Sequence, residues 1–332
     1  MNRREERIII DVHGHLVPGE LLTEIPKQQS KLPSLRLIEA EPGLALAFAG
    51  GKPSRPIMKG LSDTACRIAW MDKQGIDRQV VGSWPDWFGN ELPAAEGEAW
   101  CCFVNEMQLA AAKAQPRFVP LASVPLQDGA RAAVVLKAAI AAGFPGAMIG
   151  TLPRGIGSVL DAADLNPFWQ AADETGAVIH IHPAFDAGEV RVNDFGLANG
   201  AGRVTDAIVA MARLLCSGHI TRYRNVKFFV PIGAAGLPFI IGRLKRNYKI
   251  TPGIADPVEG LSLLYTDTCV HDPRVLRFVV EMLGADRVML GSDMPFPIGE
   301  EEPVKFVGSA GLKPEQVKSI NGQLAAKLFR LD

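Results

Sequence analysis

The chain has 332 residues, yet only five cysteines, three tyrosines and no excess of either charge. Cys66, Cys101, Cys102, Cys216 and Cys269 are scattered, odd in number and lack a CxxC pair. This argues against a disulfide scaffold or a cysteine zinc site and points to reduced thiols in the cytoplasm. Lys and Arg total 35 against 36 Asp and Glu, for a formal net charge of −1. No electrostatic argument therefore favours nucleic acid or an anionic membrane as a partner. No segment approaches ~18 consecutive apolar residues. The opening MNRREERIIIDVHGH has only a three-residue apolar run before Asp11, so it reads as neither a membrane span nor a signal peptide.

What is present is a repeat of short β-branched runs separated by helical patterns. Strands are expected at 7–15, 78–84, 117–125, 146–151, 177–183, 226–231, 263–268 and 287–293. Helices are expected near 62–75 and over the Ala-rich 95–114. Continuous apolar runs suit strands buried on both faces, as in parallel sheets. Eight βα units closing on themselves make an α/β fold of the (β/α)8 TIM-barrel type; a doubly wound open sheet is the alternative that pattern alone leaves. Residues 1–332 read as one domain. Residues 16–61 are too long for an ordinary βα loop and read as an insertion over the barrel mouth. Residues 184–203 form a second polar, Gly-rich excursion.

Four of the six histidines fall in two HxH pairs, His13 with His15 and His180 with His182, each ending an expected strand. Side chains two apart on a strand face the same way. One such pair is as consistent with packing as with metal ligation. Two pairs at strand ends are harder to explain as packing, because buried imidazoles are costly unless partnered. Asp293 follows the apolar run VML and precedes two prolines; alone it could be a helix cap. Joined to His13, His15 and His182 it completes an N3O donor set for one divalent ion.

These stretches bring a known family into view. DVHGH, RPIMKGLSDTACRIAWMDKQGIDRQVV, PLQD, GAMIGT, IHIHP, LLCSG, GLPFIIGRL, YTDTCVHDP and ADRVMLGSDMPFPIGE span most of the chain. Together they resemble the amidohydrolase superfamily, in its amidohydrolase-2 decarboxylase branch typified by aminocarboxymuconate-semialdehyde decarboxylase. The resemblance implies a (β/α)8 barrel and commonly a homodimer. It also implies one divalent metal, usually zinc, held at His13, His15, His182 and Asp293; manganese and iron also suit an N3O site. It further implies that Arg55 meets a substrate carboxylate and that Arg243 is lent by the partner subunit for the same task, a role suited to a guanidinium.

The chain departs from that pattern at Ile232, where the family has a histidine followed by glycines; here the turn reads PIGAAG. Isoleucine can neither donate, accept nor titrate. Three readings follow. The protein is a nonoxidative decarboxylase, which needs a proton donor such as Asp293 but no hydrolytic water. Alternatively another group, His180 or His271, replaces the imidazole. Or catalysis is lost and the barrel serves as a partner of an active relative. Hydrolysis or hydration of a small carboxylated substrate is the enzymatic alternative to decarboxylation, and depends more on the missing base. The aromatic set Trp84, Trp87, Phe88 and Phe296 could stack on a flat substrate or be packing. Asp86 reads as a turn residue or a further acid–base group.

Overall fold

The computed structural model describes residues 8–41 and 43–331. Arg7, at the start of the first expected strand, and Pro42 lie outside the described residues, as do 1–6 and 332.

All eight expected strand segments form, each somewhat shorter than its run. They are β1 (Ile10–His15), β4 (Arg78–Gly82), β5 (Phe118–Pro120), β6 (Gly146–Gly150), β7 (Val178–His182), β8 (Lys227–Val230), β9 (Tyr265–Asp267) and β10 (Val288–Met289). Two further strands, β2 (Leu35–Ala40) and β3 (Gly43–Phe48), pair antiparallel as a hairpin. That hairpin lies within 16–61 and was not expected from the sequence.

The architecture is α/β. One sheet has the order β1-β4-β5, the other β10-β9-β8-β7-β6, and all neighbours within both are parallel. Isolated parallel bridges link the two sheets at both edges, Ala122 with Ala147 and Gly14 with Met294. Residues of β1, β4, β6, β7, β8 and β10 are almost wholly buried, which is why they read as unbroken apolar runs.

The intervening helices start and stop on local chemistry. Asp63 caps the helix Thr64–Gln74 by accepting from Cys66 N at 2.9 Å, and Gly75 ends it at φ +69°. Asp128 accepts from the amides of Ala130 and Arg131 at the start of the helix Gly129–Ala141. Such caps satisfy amides with no partner inside the helix. The helix expected near 95–114 runs Ala94–Ala114. No helix of the described residues is long and apolar enough to cross a membrane.

Candidate metal centre

Period-two alternation brings His13 and His15 to one face at the end of β1, and His180 and His182 to one face at the end of β7. Asp293 follows β10, beside β1, with its amide donating to the carbonyl of His13 at 2.7 Å. It sits at φ +62°, a region that aspartate tolerates better than most residues. The sequence thus folds four distant groups onto one point. One donor atom from each of His13, His15, His182 and Asp293 lies within 4.8 Å of all the others.

Each of the three imidazoles is fixed through Nδ1. That of His13 lies 2.7 Å from Asp267 Oδ2, that of His15 3.1 Å from the Ser83 carbonyl, and that of His182 2.9 Å from the Pro183 carbonyl. Carbonyls only accept, so Nδ1 of His15 and His182 carries the proton and Nε2 keeps its lone pair. Orientation of this kind is usual for metal-binding histidines. Nε2 of His13, Nε2 of His15 and Oδ1 of Asp293 are buried and have no hydrogen-bond partner. Leaving buried polar atoms unmatched is expensive, and a divalent ion would satisfy all three. The donor chemistry therefore fits one borderline metal, with room left for a further ligand.

Burial dominates the electrostatics. It pushes His182 well below the ordinary imidazole range and also lowers His15, against the pull of Asp293. Burial would lower His13 too, but Asp293 and Asp267 outweigh it and hold that ring above its ordinary value. Burial would raise Asp293, yet His13 and His15 keep it below the usual carboxylate range. The Asp293 side chain retains 16% exposure, the most of the four residues, although Oδ1 itself is buried. Beneath it Asp11 ties the strand ends together. It accepts from Gln79 Nε2 at 2.7 Å and from Ser292 N at 3.0 Å.

Ile232 opens a left-handed turn. Ile232, Gly233, Ala234 and Ala235 all have φ between +50° and +59°. A β-branched residue in that region is a steric outlier. The turn is held from below, with Ile232 N donating to Asp267 Oδ1 at 2.8 Å and Ala234 N donating to Thr266 Oγ1.

The other residues singled out in the sequence fall in different places. His180 is fully buried below the centre, 4.9 Å from the His13 ring and 4.3 Å from Phe229, with neither nitrogen partnered. Burial drives it well below the imidazole range. His271 is half-exposed, near Glu300 at 3.4 Å and Cys269 Sγ at 3.6 Å. Phe296 packs 5.1 Å from His15. Trp84 and Trp87 are buried side by side, each 1% exposed, and the Trp87 indole donates to Ser54. Arg55 makes a two-pronged ion pair with Asp86, at 2.8 and 2.7 Å. Arg243 lies exposed on the helix Leu237–Ile250.

A cavity of about 620 Å³ is lined by Phe48, Arg55, Asp86, Phe88, Asn90 and Phe185 among others, and by none of the four ligand residues. Two residues that sequence reasoning passed over matter here, Asp267 under His13 and the buried Arg203 in the 184–203 excursion. Asp267 carried the same signal as Asp293, a carboxylate closing an apolar run.

Three imidazoles and a carboxylate on strand ends of an α/β fold define a single-metal site. The chain belongs to the amidohydrolase family, whose model matches residues 10–331. It is 28% identical over 291 residues to a 2-amino-3-carboxymuconate-6-semialdehyde decarboxylase from Dictyostelium discoideum, covering 85% of this chain and 80% of that one. A protein of the same name from Caenorhabditis elegans is 24% identical over 358 residues, covering 90% and 88%. Among solved structures, 5-carboxyvanillate decarboxylase from Novosphingobium aromaticivorans, complexed with manganese and 4-hydroxy-3-methoxy-5-nitrobenzoic acid, matches with a TM-score of 0.81. It is 20% identical and covers 100% of this chain and 98% of that one.

Proposed function

We propose that the protein is a metal-dependent, nonoxidative decarboxylase, a carboxy-lyase acting on a small carboxylated aromatic or muconate-like acid. The observation that carries this reading is the convergence of His13, His15, His182 and Asp293 in a turn environment where Ile232 supplies no base. The names of the two relatives support the reaction class. Bridges at both sheet edges support a closed (β/α)8 barrel with 16–61 inserted over its mouth.

A divalent ion held by His13, His15, His182 and Asp293 would supply Lewis acidity toward the substrate oxygens. The chain's own groups do the rest. In the reaction the bond from carbon to the carboxylate breaks, its electron pair stays on the carbon, and carbon dioxide leaves. That carbon takes one proton. Asp293 is ionised and partly exposed, so it can take a proton from a substrate hydroxyl and return it to carbon. Phe296 packs against His15, and Arg55 lines the cavity with Asp86 and Phe88. Burial holds His180 well below the imidazole range, so its ring packs beneath His13 as a poor acid. A homodimer is supported by the exposed apolar residues Phe239 and Ile250, 83% and 63% exposed, on the helix that carries Arg243. Five unpaired cysteines suit a cytoplasmic enzyme.

The test is carbon dioxide release from metal-loaded protein across carboxylated aromatics and muconate-like acids, beside incorporation of labelled oxygen from water. Release without incorporation is expected. Incorporation without release would make the protein a hydrolase or hydratase. Full metal occupancy with neither would leave a metal-bearing partner of an active relative.

A further inference from the structure

Asp86 and Arg55 meet through two parallel hydrogen bonds, Nε donating to Oδ2 at 2.8 Å and Nη2 to Oδ1 at 2.7 Å. Paired in this way, guanidinium and carboxylate share a plane. The turn that carries Asp86, Pro85–Trp87, is tied to the segment that carries Arg55. The Trp87 indole donates to Ser54 Oγ at 3.1 Å, and that hydroxyl donates to the Arg55 carbonyl at 2.9 Å. Behind the turn, the Trp100 indole donates to the Trp87 carbonyl at 2.9 Å. The pair is therefore held from both of its loops.

The rest of the guanidinium is bounded as well. Its carbon lies 4.0 Å from the centre of the Phe185 ring and 5.5 Å from that of Trp84, close enough for cation–π attraction. A guanidinium has five N–H donors in a fixed fork, and Asp86 takes the Nε–Nη2 edge. Nη1 and the second N–H of Nη2 meet no acceptor among the described residues. The Arg55 side chain is 38% exposed against 10% for Asp86, and both line the cavity. What Arg55 offers a ligand in that cavity is its Nη1–Nη2 edge. The cavity borders the metal centre through Gly150, the strand partner of His182, and through Ala184, which follows His182 and Pro183.

Resting on the decarboxylase reading, we infer that Asp86 is a positioning residue: it locks Arg55 so that the Nη1–Nη2 edge receives a second carboxylate of the substrate in one plane and one direction from the metal centre. Asp86 touches no reacting atom. By fixing the arginine, it sets which spacing of two acid groups the protein accepts. An arginine ordered before the ligand arrives also loses less side-chain freedom on binding.

Calorimetric binding to metal-loaded protein tests this with three probes, benzene-1,2-, 1,3- and 1,4-dicarboxylate. The probes carry equal charge, so loss of the Asp86 charge acts on all three alike and only geometry separates them. The wild type should favour one isomer over the others by roughly 10-fold or more, the effect of one charge-assisted contact made or missed. Asp86→Ala should narrow that spread to within about 3-fold. Asp86→Asn should narrow it less, through the one acceptor it keeps, and Arg55→Gln should remove it. Thermal melting and metal content are measured on each variant, and Asp86→Asn, equal in size, carries the test should the alanine variant not fold. A spread unchanged or widened in the Asp86 variants would make the pair a structural contact only and overturn the inference. So would a wild type that binds the three isomers equally. Failure of the decarboxylase reading would appear elsewhere, as isomer preference without carbon dioxide release.

Discussion

His13 and Ile232 are joined through a single carboxylate. Asp267 holds the His13 imidazole with Oδ2 at 2.7 Å and the Ile232 amide with Oδ1 at 2.8 Å. The same Oδ1 also accepts from Cys269 N at 3.1 Å. One buried side chain thus orients a metal ligand and pins the left-handed turn that Ile232 opens. Gly291 makes room for it, since a Cβ there would lie 2.6 Å from the Asp267 Cβ.

Asp267→Asn should weaken metal binding roughly 10- to 100-fold. An asparagine whose amide nitrogen faces Nδ1 would donate to it, which places the imidazole proton on Nε2, the atom needed by the ion. Competition with a chromophoric chelator measures the affinity. An unchanged value would remove Asp267 from the centre.

Ile232→His should fold at least as stably as the wild type. Isoleucine at φ +58° is strained by about 1–2 kcal/mol, and histidine is better tolerated there. The new imidazole should add a limb to the pH–rate profile near its own titration range. Calorimetric melting and rates across pH check both halves. An unaltered profile would mean that the turn aims its side chain away from the substrate.

Metal uptake should release protons in acid. His13 is held above the ordinary imidazole value by Asp293 and Asp267 despite its burial. In metal-free protein it therefore keeps its second proton to a higher pH than free histidine does, and an incoming ion must displace it. His15 and His182 are depressed, so they lose their second proton at lower pH than His13. Affinity should fall as pH drops through the His13 titration. Calorimetry in two buffers of different ionisation enthalpy counts the protons; no buffer dependence at any pH would contradict this.

The centre was legible in the sequence because strand alternation is local. HGH and HIH each declare two side chains on one face, and Asp293 closes a run that can only be a buried strand. The eight strands were legible for the same reason. The β2–β3 hairpin was not, because its runs LRLIEA and GLALAF sit among turn residues that read as loop. Arg203 was hidden in a Gly-rich stretch that looks solvent-exposed, and its burial comes from Phe185 and Asn199 packing back on it. Trp84 and Trp87 look like a stacking platform in sequence, yet packing buries both.

The most direct test is to titrate metal-free protein with zinc or manganese while measuring carbon dioxide release, with His182→Ala in parallel. Release should rise with added ion, level off at one equivalent per chain, and be absent from the variant, which should also fail to retain the ion. Release that ignores the ion, or a fully loaded wild type that frees no carbon dioxide from any carboxylated aromatic or muconate-like acid, would contradict the assignment.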